Sequence, residues 1–252
     1  MTTVAGTWIR RYAAAPDAAR RLVCFPHAGG AASYYRPVAL AIDASVEVLA
    51  VQYPGRQDRR RERTVDDIER LADLVVDELV PWCDRPFGLF GHSMGAMVAY
   101  EVARRLESRG VEPAVLFASG RRAPSRHRES AVHLLDDAGV KVELLRLSGT
   151  GTALLDDEDM LAMILPALRG DYRAVESYRH RPGPPLSCPV CVLVGEDDTE
   201  VTAEEAADWR YHTDGGFDLR VFPGGYFYLD QHAQTVLRLV EAGLLGDIAA
   251  RA

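Results

Sequence analysis

Ser93 lies in Gly91-His92-Ser93-Met94-Gly95, within "LFGHSMGAMVAYEVARRL". The pattern is G-x-S-x-G, set between an apolar run that reads as a strand and an amphipathic run that reads as a helix. In that setting the glycines allow a sharp turn with the serine at its tip, on the helix N-terminus. A hydroxyl held there can attack an acyl carbon. The backbone N–H of Met94 is then placed to donate to the oxyanion that develops. His92 adjoins the serine, but its side chain should point away from it, so we read it as structural.

Two further stretches suit the same chemistry. "CFPHAGGAASYY" (24–35) follows an apolar strand, and its glycines free the backbone to approach a ligand. The N–H of Ala28 is the natural second oxyanion donor; His27 is read as loop-shaping rather than as a base. An acid that completes a triad should follow a late strand, in chain order Ser, Asp, His. "VLVGEDDTEV" (192–201) meets that requirement, with Asp198 as the candidate acid and Asp197 second.

The elements that must position these residues follow from hydropathy. Residues 21–25, 46–52, 87–91, 114–119, 190–195 and 217–222 read as strands, and most are continuously apolar, as strands covered on both faces are. Helical patterns near 65–81, 95–108, 202–211 and 231–247 alternate with them. This predicts a single domain over 1–252 with a doubly wound, mostly parallel sheet, and together with the G-x-S-x-G turn an α/β-hydrolase fold. Residues 125–180 break the alternation with two amphipathic helices and no strand. A helical lid insertion is predicted there, enclosing an apolar chamber that reaches Ser93.

The chain has 252 residues, 48% of them hydrophobic, and a net charge of −8. That length suits one domain, and an acidic balance argues against a nucleic-acid or membrane binder. No apolar run reaches the roughly 18 residues that a membrane span needs. The first residues lack the order of a signal peptide, so a cytoplasmic protein is expected. Cys188 and Cys191 form a C-x-x-C inside an apolar strand, with no second ligand pair, and read as core residues with no metal.

"FPHAGG", "VQYPGRQDR", "FGHSMGA", "LPALRGDYRAVESY", "VGEDD" and "FPGGYFYL" together resemble the type II thioesterases of polyketide and nonribosomal peptide assembly lines. The resemblance runs from residue 20 to about 240. It implies hydrolysis of acyl groups from the phosphopantetheine arm of acyl or peptidyl carrier proteins. It also implies Ser93 as nucleophile, Asp198 as acid, and Ala28 with Met94 as oxyanion hole. No cofactor is expected, because the phosphopantetheine arrives with the substrate. The basic run "RQDRRRER" (56–63) offers Arg56, Arg59, Arg60 and Arg61 as a docking surface for an acidic carrier protein; a solvated loop is the plainer alternative.

One position departs from the family pattern. The family has "GGHF", whose histidine is the catalytic base; here Tyr226 takes its place. A tyrosine with an ordinary pKa of about 10 donates protons at neutral pH and accepts them poorly. His232 lies six residues on and, at helical spacing, about 120° off the face of Tyr226. Three readings follow: a thioesterase impaired by loss of its base, a scaffold turned to elimination, cyclisation or acyl transfer with Tyr226 as donor, or a carrier-binding pseudoenzyme.

Overall fold

The computed structural model describes residues 8–148 and 158–246. Parts of the predicted lid (149–157), the last residue of the final predicted helix (247) and the first seven residues lie outside them.

Seven strands form one sheet in the order β1-β3-β2-β4-β5-β6-β7. They are β1 (Ile9–Arg10), β2 (Arg20–Phe25), β3 (Val46–Val51), β4 (Phe87–His92), β5 (Val115–Ser119), β6 (Val190–Gly195) and β7 (Phe217–Phe222). All neighbours pair parallel except β1, which runs antiparallel to β3 with Ile9 opposite Val51. The six longer strands stand where hydropathy predicts them. β1 was not predicted, because two residues are too few to show any periodicity.

The helices are α1 (Arg36–Ala41), α2 (Ile68–Leu79), α3 (Met94–Ser108), α4 (Asp137–Ser148), α5 (Glu158–Ser177), α6 (Ala203–Ala207), α7 (Tyr228–Gln231) and α8 (Ala233–Leu244). Alternate strand residues face opposite layers. Val23, Phe25, Leu49 and Leu89 pack with α2 and α3 residues such as Leu71, Val75 and Val98. Leu22, Cys24, Val48 and Phe90 pack against Ala39 of α1 and Val236 and Val240 of α8. Helices on both faces explain why β3, β4, β5 and β6 are buried along their whole length. β7, at the edge, is only partly buried and carries the alternating "FDLRVF". Truncating a fully buried aromatic such as Phe117 is expected to cost about 3–5 kcal/mol.

Local chemistry sets the helix starts. The Asp67 carboxylate accepts the N–H of Arg70 at 2.8 Å and caps α2. Thr202 and Glu205 form a capping box at α6. Cys188 and Cys191 are buried, with the Cys191 thiol pushed up to about 12 by burial, so neither is poised as a thiolate.

α4 and α5 fall between β5 and β6. They make their own apolar cluster with Val132, Val140, Leu161, Leu165 and Leu168. Farther along α5, Ala174 joins the main core, as does Tyr178 just past the helix end. No helix among the described residues is long and apolar enough to cross a membrane.

Candidate active site

The site lies beyond the carboxyl ends of the strands, where loops after β2, β4, β6 and β7 meet, as ligand sites of open α/β sheets do. Ser93 directly follows β4 and directly precedes α3. Its φ is 54° and its ψ −117°, a conformation that costs a non-glycine residue about 1–3 kcal/mol. The turn is held by the Ser93 N–H on the Ser119 carbonyl (2.8 Å) and the Ala96 N–H on the Ser93 carbonyl (3.0 Å). The flanking glycines are steric necessities. A Cβ on Gly91 would sit 2.1 Å from the Gly95 carbonyl oxygen, and one on Gly95 would sit 2.0 Å from that of Phe25. Both obstacles are backbone and cannot move aside.

Beside the serine, the loop after β2 is fixed in detail. Its Gly29 N–H donates to Asp171 Oδ2 at 2.8 Å. Arg56 grips Asp171 through both carboxylate oxygens (2.9 and 2.8 Å) and also donates to the Gly30 carbonyl at 2.8 Å. Asp171 is fully buried on α5, and Arg56 is buried too. A bidentate buried pair of this kind keeps its geometry tightly. It ties α5 to the loop that carries Ala28. Among the described residues the N–H groups of Ala28 and Met94 donate to no protein group, so both remain free for a ligand oxygen.

Asp198 follows β6, and it is half-engaged. Its Oδ1 accepts the N–H groups of Glu200 (2.7 Å) and Val201 (3.3 Å). Its Oδ2 is buried and meets no partner. Burial pushes this carboxyl up to about 6, against the pull of the two amides.

Tyr226 stands against Ser93. Burial drives its phenol well above the ordinary value, while the Ser93 hydroxyl and the Arg121 charge oppose that rise and lose. A neutral phenol is a donor, so it offers the serine no base.

His92, His27 and His232 give no substitute. His92 is fully buried, its Nδ1 2.9 Å from Ser119 Oγ, which in turn lies 2.6 Å from the Tyr228 hydroxyl. Burial holds its pKa well below the ordinary value. His27 borders the cavity, but burial, helped by the Arg56 charge, pushes it down to about 4. Its ring is wedged against Tyr34 and Phe227, with centroids 4.8 and 5.4 Å away. His232 Nε2 bonds the Pro223 carbonyl at 2.9 Å, and the residue is not part of the cavity wall.

A cavity of about 280 Å³ joins these groups. Ser93, Ala28 and Tyr226 line it, as do Leu144, Ile164 and Leu168 of α4 and α5. The predicted reach to Ser93 is seen. The predicted apolar character is corrected: Arg121, Arg122, Arg126 and Arg128 also line it. They come from "GRRAPSRHR", a stretch just past β5 that hydropathy leaves as loop.

The expected docking arginines divide. Arg60 and Arg61 are exposed. Arg56 and Arg59 are buried and committed, Arg56 to Asp171 and Arg59 to Glu62 and the Gln52 carbonyl. Neither can meet a surface partner, and the expectation for those two is withdrawn. A run of arginines looks alike in sequence whichever of them the loop turns inward.

A strained serine at a strand–helix turn, two free amides beside it and an acid after a late strand are the parts of an acyl-transfer site. Residues 20–244 match the Thioesterase domain family. The chain belongs to the thioesterase family. A thioesterase of Streptomyces venezuelae, PikA5, is 49% identical over 242 residues, covering 95% of this chain and 86% of that protein. The type II thioesterase BorB of the borrelidin biosynthetic cluster superposes with a TM-score of 0.90 at 50% identity, covering 94% of this chain and 97% of that one. RedJ, a thioesterase of the prodiginine pathway in Streptomyces coelicolor, superposes with a TM-score of 0.86 at 38% identity, covering 91% and 92% of the two chains. The family's fold therefore extends over nearly all of this thioesterase.

Proposed function

We propose that this protein acts on acyl groups carried as phosphopantetheine thioesters on carrier proteins of a polyketide or nonribosomal peptide assembly line, in the cytoplasm, and that its hydrolysis is slow as written. The observation that carries the reading is the strained Ser93 beside two unused backbone N–H groups, opening on a cavity. Ser93 Oγ adds to the thioester carbonyl carbon. The carbonyl oxygen, now an oxyanion, takes the N–H groups of Ala28 and Met94. Collapse expels the pantetheine thiol, which needs the proton that the serine gave up, and leaves an acyl-serine. Water must then cleave that ester. α4 and α5 act as the lid over the acyl chain.

Each step needs a group that takes a proton and returns it. In a triad that group is an imidazole oriented by the acid. Here Asp198 Oδ2 has no partner and Tyr226 is neutral. Tyr226 supports a second reading, because a neutral phenol against Ser93 is suited to donating a proton in a non-hydrolytic reaction. A pseudoenzyme would need only the docking surface.

The test is the purified protein with a butanoyl-carrier protein. Product acid and the mass of the protein are followed over time, with Ser93→Ala as control. Slow acid release with an acyl adduct on Ser93 supports the first reading. A different small-molecule product that survives Ser93→Ala but not Tyr226→Phe supports the second. Carrier binding with neither product nor adduct leaves the pseudoenzyme.

A further inference from the structure

Arg121 is a buried-edge cation that this acyl-transfer scheme does not use. It lies two residues past β5, the strand next to β4, and β4 ends one residue before Ser93. Its backbone is pinned, since its carbonyl accepts the Trp209 Nε1–H at 2.9 Å. Its side chain borders the same cavity as Ser93 and Tyr226. Among the described residues, no carboxylate or other acceptor meets its guanidinium, and its Nε is shut off from solvent without a partner.

The carboxylates around the chamber are already spent. Glu143 and Glu200 pair with Arg146. Glu176 accepts from Ser130 at 2.6 Å and from the Val132 N–H at 2.7 Å, and it also pairs with His133. Neighbouring Arg122 adds repulsion; one of its terminal nitrogens donates to the Glu200 carbonyl, while its Nε, 4.0 Å from Glu205, is likewise buried without a hydrogen-bond partner. Tyr178 and Tyr226 also face Arg121, but Tyr178 gives its proton to Glu101 at 2.8 Å. Burial, with Arg122 adding to it, lowers the Arg121 pKa to about 10, so the group stays charged at neutral pH. The Glu200 charge favours the cation, but a guanidinium with no hydrogen-bonded acceptor at the wall of a cavity stays unfavourable until an anion arrives. A planar guanidinium matches a carboxylate through two parallel hydrogen bonds.

We propose that Arg121 is a carboxylate-binding subsite of the acyl chamber. The inference rests on the thioesterase reading for what enters the chamber. Two ligands would bring this chemistry: the free acid left after thioester cleavage, or an acyl group that carries a second carboxylate. Both place an anion near Ser93, and neither needs a partner protein.

The test is calorimetric binding of two matched pairs to the full chain. One pair is butanoate and butanamide. The other is succinyl- and butanoyl-pantetheine in which an amide replaces the thioester. The charged member of at least one pair is expected to bind tenfold or more tighter. That ratio should fall to about one in Arg121→Gln and in Arg121→Met, and recover in part in Arg121→Lys. The first pair identifies the product acid as the ligand, and the second a carboxyacyl group. Arg121→Met is expected to melt no lower than the native chain, since it removes an unpaired charge. Equal binding within both pairs overturns the proposal, as does a charged preference that persists in Arg121→Gln and Arg121→Met. If butanoate binds through Arg121 but neither pantetheine analogue binds, the thioester reading fails and the subsite stands.

Discussion

The proposed site has two halves that differ in how they are built. On the oxyanion side the parts are backbone: the Ser93 turn, the Ala28 and Met94 amides, and a loop clamped by Arg56 and Asp171. His27 Nδ1 and the Tyr53 hydroxyl are buried there without partners, while its backbone groups are either bonded or free for a ligand. On the proton-relay side the parts are side chains, and they do not connect. Asp198 Oδ2 and His92 Nε2 are buried without partners, and Tyr226 is a neutral phenol. The difference teaches which kind of machinery survives a single substitution. Backbone amides keep their direction as long as the fold does, whereas a relay depends on the identity of each side chain. On the proposed reading, a place that accepts an imidazole also accepts a phenol, so the oxyanion half would stay intact while the relay is lost.

The largest expected effect joins the two halves. Tyr226→His should raise hydrolysis of an acyl-pantetheine thioester by about 10²–10⁴-fold, the usual contribution of general acid–base catalysis. Steady-state turnover measures it, and Ser93→Ala in the same background should abolish the gain. No gain would mean that the relay half is displaced and not merely missing a group. His232→Ala should leave the native rate unchanged, since that imidazole is bonded to Pro223.

The next effect falls on the intact half. Asp171→Asn leaves the buried Arg56 without its counter-charge, and breaking such a pair costs about 3–5 kcal/mol. Urea unfolding would register that loss. A loss well below 1 kcal/mol would show that the clamp is not what holds the oxyanion loop.

A smaller effect tests Asp198 through pH. Its folded pKa is raised to about 6, above the unfolded carboxylate, so the folded state binds the proton more tightly. Its contribution to stability is therefore full below the unfolded pKa and is lost as pH rises through about 6. That is on the order of 1–2 kcal/mol between pH 4 and 7 for a shift of this size. In Asp198→Asn this share of the pH dependence should vanish. Denaturant midpoints at pH 4, 5, 6 and 7 measure it, and an unchanged profile would assign the titration to another group.

The smallest effect lies at the surface. Arg60→Glu with Arg61→Glu should weaken carrier-protein binding by less than about tenfold, and only at low salt, because exposed charges are screened over about 10 Å at 0.1 M. A salt-independent loss would argue against steering by this loop.

Much of the fold is legible in the residue order, for particular reasons. β3, β4, β5 and β6 are buried on both faces and read as unbroken apolar runs. The G-x-S-x-G turn declares itself because a Cβ on either glycine would fall 2.0 or 2.1 Å from a backbone oxygen. Asp171 escaped notice as a site residue even though "LPALRGDY" was in view. An acid at the end of an apolar helix face does not show that its partner lies 115 positions earlier. Arg121 escaped because a charged residue after a strand looks like ordinary loop.

The residue order by itself determined the α/β alternation, the serine turn, the place of Asp198 after a late strand and the presence of Tyr226. Those are local matters: hydropathy period, glycine spacing and side-chain identity. Only the tertiary structure decided which arginines of 56–61 face inward and that α5 clamps the oxyanion loop. It alone showed that Asp198 keeps one oxygen unpartnered and that Arg121 borders the chamber with no hydrogen-bonded acceptor among the described residues. Burial and pairing depend on groups far apart along the chain, and their energies follow from distance in space rather than from position in sequence.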